Sequence, residues 1–166
     1  MCPQGTACTA GTCACTSGKS LCNGVCVDAS SDSQHCGNCA TVCSTGMHCS
    51  SGACACDGPA VSFASNVAPV LANACTNSGC HAGAQAKASL DLTLGRGYSE
   101  LVNVTAAQCS DGRKLVAPGA SSSSYLLQKL LGVQLCSGTQ MPKAGSSLPS
   151  ADLSLISRWI CQGAPP

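Results

Sequence analysis

The sequence predicts a two-part chain: a small disulfide-rich, loop-dominated module with little regular structure over residues 1–58, and a mainly α-helical domain over residues 60–166, with the boundary falling at 58/59. Three observations carry this. Twelve of the 17 cysteines lie between Cys2 and Cys56, a density that marks small chains stapled in an oxidising compartment. The first part repeats itself with a period of 41 residues. After "CDGP" the composition changes to longer segments with apolar residues at helical spacing.

The repeat is read from the cysteines. Cys2, Cys8, Cys13 and Cys15 match Cys43, Cys49, Cys54 and Cys56 gap for gap, with Gly5 on Gly46 and Gly11 on Gly52. Cys22, Cys26, Cys36 and Cys39 lie between the copies, so one and a half repeats are present. The part that should precede Cys2 is missing, which implies that the natural product continues upstream. Val25, Val27, Val42 and Met47 are nearly the whole apolar content of the repeat, so disulfides must hold it. Eight cysteines allow 105 pairings, and the sequence does not choose among them.

In the second part, "SFASNVAPVLANAC" places Phe63, Val67, Val70 or Leu71, and Ala74 on one helical face, with Pro69 perturbing it unless a new turn starts there. "YSELVNV" predicts a short helix. "SSSSYLLQKLLG" sets a serine cap before Tyr125, Leu126 and Leu130 and closes on Gly132. "PSADLSLISRWICQGA" offers Ser150 as N-cap, Asp152 in the first turn, Leu153, Ile156 and Trp159 or Ile160 inward, and Gly163 at the end. Phe63, Tyr98, Tyr125 and Trp159 are the only aromatics. Four short helices joined by long loops make a poor core, so a further group is expected to fill the centre.

"CTNSGCH", Cys75 to His81, names that group. Two thiols that add to the vinyl groups of a haem, with an imidazole directly after the second, would place His81 under the iron as proximal ligand. The spacer here is four residues, Thr76 to Gly79, and its excess is expected to bulge outward. The alternative is a disulfide between Cys75 and Cys80 with an incidental histidine. Zinc is disfavoured because no fourth soft ligand lies at short spacing. For the sixth position of iron, "QMPKAG" supplies Met141, sixty residues further on; Met47, His35 and His48 compete from the first part. Pro118 and Gly119 offer a turn whose carbonyl accepts the free N–H of His81, and Arg113 and Lys114 are candidate partners for haem propionates. Cys109 and Cys136 are placed to bridge the loops around the site. Two cysteines for haem leave an odd number, so one is free, modified or bonded to another chain, with Cys161 and Cys2 as candidates.

On "FASNVAPVLANACTNSGCH", "YSELV", "LVAPGASSSSYLLQKL", "MP" and "LSLISRWICQGA" in this order, residues 61–166 resemble the single-haem cytochrome c domains of secreted myxobacterial and planctomycete proteins. The segment "LCNGVCVDASSDSQHCGNCATVCSTGMHCSSGACAC" is similar to cysteine-rich repeats of myxobacterial surface proteins. The first resemblance implies a small cytochrome c fold, one covalent haem c on Cys75 and Cys80, iron bound by His81 and Met141, and electron transfer to redox partner proteins.

The formal charge of +1 is nearly even along the chain, so there is no nucleic-acid footprint. No apolar run approaches the length of a membrane span, and "MCPQG" has no features of an export signal. The expectation is an extracytoplasmic electron carrier and not an enzyme, since His81 and Met141 fill both axial positions; displacement of Met141 would open a site for peroxide or gas chemistry. A rival expectation is a secreted adhesive or filament subunit, a homo-oligomer assembled through the repeats and the odd cysteine.

Overall fold

The computed structural model describes every residue except 1–5, 10, 11, 17, 44, 45 and 144–146. The chain divides into two compact units, Met1–Asp57 and Gly58–Pro166. It is a disulfide-rich, loop-dominated protein with few helices and small sheets, and the expectation of a mainly helical second part is corrected accordingly: its α-helices are short, between five and twelve residues, and long irregular segments join them.

The first unit contains three antiparallel hairpins: β1 (Thr6–Thr9) with β2 (Thr12–Cys15), β3 (Ser20–Cys22) with β4 (Val25–Val27), and β5 (Met47–Ser50) with β6 (Ala53–Cys56). The first and third are the two copies of the repeat in the same register. Cys8 faces Cys13 as Cys49 faces Cys54, and Thr6 faces Cys15 as Met47 faces Cys56. The two tight turns Asn23-Gly24 and Ser51-Gly52 have positive φ at both positions, the geometry that matches the twist of a two-residue hairpin and that Asn and Gly adopt most cheaply.

Between β4 and β5 the described residues carry no strand. Asp28 accepts from the Ser30 N–H and Asp32 from the Gln34 N–H, and the Asn38 side chain accepts from the N–H groups of Ala40 and Thr41, so short polar side chains supply the turns. Disulfides Cys15–Cys26, Cys22–Cys39, Cys36–Cys49 and Cys43–Cys54 staple hairpins and loop. Cys22, Cys36 and Cys49 are buried, whereas Leu21, Val25 and Val42 are exposed. Sulfur, not hydrocarbon, fills the centre of this unit.

One close approach fixes the loop on the third hairpin. The Gly37 N–H donates to Ala29 O at 2.8 Å and the Gly52 N–H to Ser30 O at 3.1 Å. A Cβ on Gly37 would lie 2.5 Å from Gly52 O, at a φ of +74°. Gly37→Ala should therefore destabilise the unit by about 1–3 kcal/mol through clash and backbone strain together, read as a lowered denaturation midpoint. Gly18→Ala, at φ +71° with nothing within 4 Å, isolates the backbone part and should cost less.

In the second unit a wide π-turn, Phe63–Val67, runs directly into α1 (Ala68–Cys75). Pro69 sits in the first turn of α1, where its missing N–H costs nothing. Then follow α2 (Gly97–Leu101), α3 (Tyr125–Leu131) and α4 (Ser150–Cys161). Gly132 closes α3 in the left-handed conformation, as expected. Two expected caps are replaced. The Ser124 hydroxyl does not cap α3 but joins the Ala117 N–H to Ala120 O, and Ser150 is already helical, with Pro149 at the cap position of α4.

The core is fuller than the aromatic count suggests. Val67, Leu71, Leu101, Val116, Ile156, Trp159 and Ile160 are fully buried in one cluster. Phe63 packs on Trp159 at 5.3 Å between centroids with the rings tilted at 46°, and on Tyr98 at 5.5 Å edge-on, the latter a geometry aromatic rings prefer. The C-terminal segment is tied to this cluster by Trp159 Nε1 donating to Pro165 O and Tyr98 OH to Ala164 O. The helices thus bury a core of their own. The space they leave lies to one side, at the end of α1.

Candidate cofactor-binding site

A cleft of about 190 Å³, partly open to solvent, lies there. Its lining is mostly apolar and includes Cys75, His81, Leu90, Leu126, Leu130 and Met141. Three of the four residues assigned to haem thus share one cavity.

The fourth, Cys80, is not on the lining, but its sulfur is close enough to Cys75 to act on it electrostatically. The motif closes as a ring in which the His81 N–H donates to Cys75 O at 3.0 Å and the Cys80 N–H to Asn77 O at 2.9 Å. Asn77, Ser78 and Gly79 are exposed. The four-residue spacer projects outward while its ends stay together.

Cys75 and Cys80 are free thiols, so the alternative disulfide with an incidental histidine does not form here. Burial, reinforced by Cys80, pushes the Cys75 thiol up to about 11. At neutral pH it remains protonated and slow in exchange, because the thiolate is the attacking species. By contrast Cys13, Cys56 and Cys161 are disulfide-bonded, as are all the cysteines paired above. Cys161 is therefore not the odd thiol, and Cys2 lies outside the described residues.

His81 is oriented by a group that the sequence did not suggest. Its Nδ1 lies 3.0 Å from Lys87 O; a backbone carbonyl only accepts, so Nδ1 carries a proton, and in the neutral ring the lone pair is the one on Nε2. The expected carbonyl near Pro118 has another setting: the Gly119 N–H donates to Ile160 O, and Pro118 does not line the cavity. The carbonyl of Lys87 is held by its own loop. The Lys87 N–H donates to Cys80 O and the Leu92 N–H to His81 O, and Asp91, nearly buried, accepts from the Thr93 N–H and hydroxyl and pairs with Arg96. Bonds from Thr93, then from Gly83, together with the Arg96 charge, hold the Asp91 carboxyl below its usual range.

Arg113 is likewise off the lining. It pairs with Asp111 and donates to Gln128 Oε1 and Gln134 O, and Lys114 donates to Thr105 Oγ1. Of the competing axial ligands, His35 is paired with Asp32 and His48 with Asp57, each inside the first unit, and Met47 lies on β5.

The Met141 segment is anchored from several directions. The Met141 N–H donates to Lys129 O at 2.9 Å, Gln140 Nε2 to Leu130 O at 2.7 Å, and Cys109–Cys136 joins the segment to the opposite wall, Val104 to Gln108. That wall is an irregular ladder in which the Leu115 N–H donates to Val104 O and the Ala106 N–H to Arg113 O. The bridge proposed from sequence between Cys109 and Cys136 is present.

Comparison with known proteins places the first unit. Residues 1–57 match the Stigma-specific STIG1-like protein family. No curated protein and no solved structure matches the chain. This overturns the resemblances drawn from sequence: the cysteine-rich part matches the STIG1-like family instead of myxobacterial surface repeats, and the comparisons give residues 61–166 no kinship with cytochrome c domains. Disulfides and this family match are both consistent with an extracellular, secreted protein. Among the described residues no helix is long and apolar enough to cross a membrane.

Proposed function

We propose that the chain is an exported c-type cytochrome in which Cys75 and Cys80 hold one haem covalently and His81 and Met141 bind its iron. The supporting observation is a coincidence of two selections: the free thiols among the described residues are the two of the CTNSGCH motif, and one of them lines an apolar cavity with His81 and Met141. The donor set suits the group, since a neutral imidazole with Nδ1 committed to a carbonyl presents Nε2 to a metal, and a methionine thioether is the second ligand of many cytochromes c.

Haem bound there supplies a reversible one-electron couple. The chain's own contribution is to keep it and set its surroundings. Two thioether links prevent loss, Lys87 O holds the His81 ring in one orientation, and Leu90, Leu126 and Leu130 exclude water. With His81 and Met141 both holding the iron, no position would be left for a substrate, and the protein would carry electrons between redox partner proteins rather than act as an enzyme. On this reading residues 59–166 are the haem-carrying domain, and the first unit is a disulfide-stapled spacer.

The intact mass of the exported chain from a host competent in haem attachment should exceed the polypeptide mass by one haem. Met141→Ala should keep that increment and change the visible spectrum. A colourless chain of bare polypeptide mass would refute the attachment, and an unchanged spectrum in Met141→Ala would refute the second ligand. The rival role as an adhesive or filament subunit joined by an odd cysteine loses Cys161 as its link and rests on Cys2; multimers that collapse with a thiol reductant would favour it.

A further inference from the structure

The cavity wall holds a buried cation that the haem chemistry above does not use. Lys129 lies in α3, within the run Tyr125–Leu130 in which every residue is buried, and is itself 8% exposed. Its Nζ donates to Ser137 O at 2.8 Å and to Thr139 O at 3.0 Å, and its backbone carbonyl accepts from the Met141 N–H. The same ammonium lies 5.8 Å from the centre of the Tyr125 ring, whose hydroxyl approaches Gln108 Oε1 and Ser137 O. The segment closes tightly around it: a Cβ on Gly138, at φ +70°, would stand 3.3 Å from Nζ. Among the described residues no carboxylate pairs with Lys129. Its charge is met by carbonyl dipoles and a ring face.

An ammonium is costly to bury, and two carbonyls of one loop together with the Tyr125 ring face offset the cost. Energetically the dependence runs both ways. The charge is stable inside only while residues 137–141 stay folded over it, so loop and cation hold each other. We infer that Lys129 is a positioning residue: it fixes the 137–141 segment so that Met141 stays on the cavity wall as an iron ligand, and its positive charge, paired with no carboxylate among the described residues, disfavours the oxidised, more positive iron. The ligand role of Met141 is taken from the proposed function; the clamp on its segment is independent of haem.

The test is Lys129→Leu, which keeps apolar bulk, removes donors and charge and adds no iron ligand, with Lys129→Arg as the conservative control. Two readouts are taken on the exported chain as purified. The first is amide hydrogen exchange: in Lys129→Leu the segment 137–141 should exchange faster by on the order of tenfold or more, as expected for losing charge-assisted bonds, with α1 and α4 unchanged. The second is spectroscopic: the thioether-to-ferric-iron absorption should be lost and the reduction potential should fall, with the haem mass increment intact, and Lys129→Arg should restore both. Unchanged exchange, acceleration spread evenly over the unit, or faster exchange with the thioether absorption retained would each overturn the inference. Should the purified wild type contain no haem, the proposed function fails, and the exchange readout alone decides whether Lys129 clamps the segment.

Discussion

Replacing Cys75 and Cys80 together by alanine should yield exported protein with no covalently bound haem, while either single substitution leaves one thioether and a haem that still resists acid extraction. The expectation follows from the selectivity of the free thiols. In the second unit the other cysteines, Cys109, Cys136 and Cys161, are committed to disulfides, and none of them lines the cavity as a substitute attachment sulfur. The loss in the double variant is complete rather than graded, because a haem held by His81 and Met141 alone can dissociate. Misfolding is separated from loss of attachment by Trp159, which is fully buried against Phe63 away from the cavity lining; its emission maximum should stay at the short wavelength of a buried indole if the core is intact, whatever the haem does to its intensity. Cys75 packs only partly against that core, and truncating it removes one sulfur, a change expected to cost about 1–2 kcal/mol. Retention of a haem mass increment in the double variant, with an intact core, would show that another residue is the anchor.

The elements of this site were readable to different degrees, and the difference is physical. Periodicity and spacing are local, so the helices around Leu71, Leu130 and Ile156 and the equivalence of the two repeat copies could be anticipated from sequence, whereas the hairpins into which the copies fold were expected only as loops. Cys75, His81 and Met141 were named from residue chemistry, and the fold brings them to one cavity. What was missed depends on backbone carbonyls, which carry no signature in sequence: Lys87 O instead of a carbonyl near Pro118 on His81, and Ser137 O and Thr139 O on Lys129. Signals did exist nearby. Asp91 followed by Thr93 has the pattern of a side chain that bonds the backbone two residues on, and a lysine inside "YLLQKLL" contradicts an otherwise buried run. The helical share was overestimated because apolar residues such as Leu90, Leu92, Leu115 and Leu148 enter the site and the core from irregular segments, where no period announces them.

Removal of Cys36–Cys49 should be the most damaging single lesion in the first unit. Both sulfurs are buried, and the bridge fastens the turn at Gly37 to β5, the strand paired with β6. Around it the Cys36 N–H donates to Thr41 O, the Cys49 N–H to the Ser33 hydroxyl, and the Gly52 N–H to Ser30 O. None of these bonds is backed by a hydrocarbon layer, since Leu21, Val25 and Val42 face solvent. Closing a loop of this length restrains the unfolded chain by about 3 kcal/mol, and losing a native bridge from a small secreted module costs about 2–5 kcal/mol. A module without an apolar core has little more than that to lose. Cys36→Ala with Cys49→Ala should therefore open the 28–43 loop and the third hairpin at ambient temperature, seen as early proteolytic cleavage between β4 and β5 and as loss of amide protection in β5 and β6. Reduction of the wild-type chain under mild conditions should reproduce the pattern. If β5 and β6 kept full protection in the double variant, the hydrogen bonds of the 28–43 loop would suffice without sulfur, and the unit could not be described as one whose core is its disulfides.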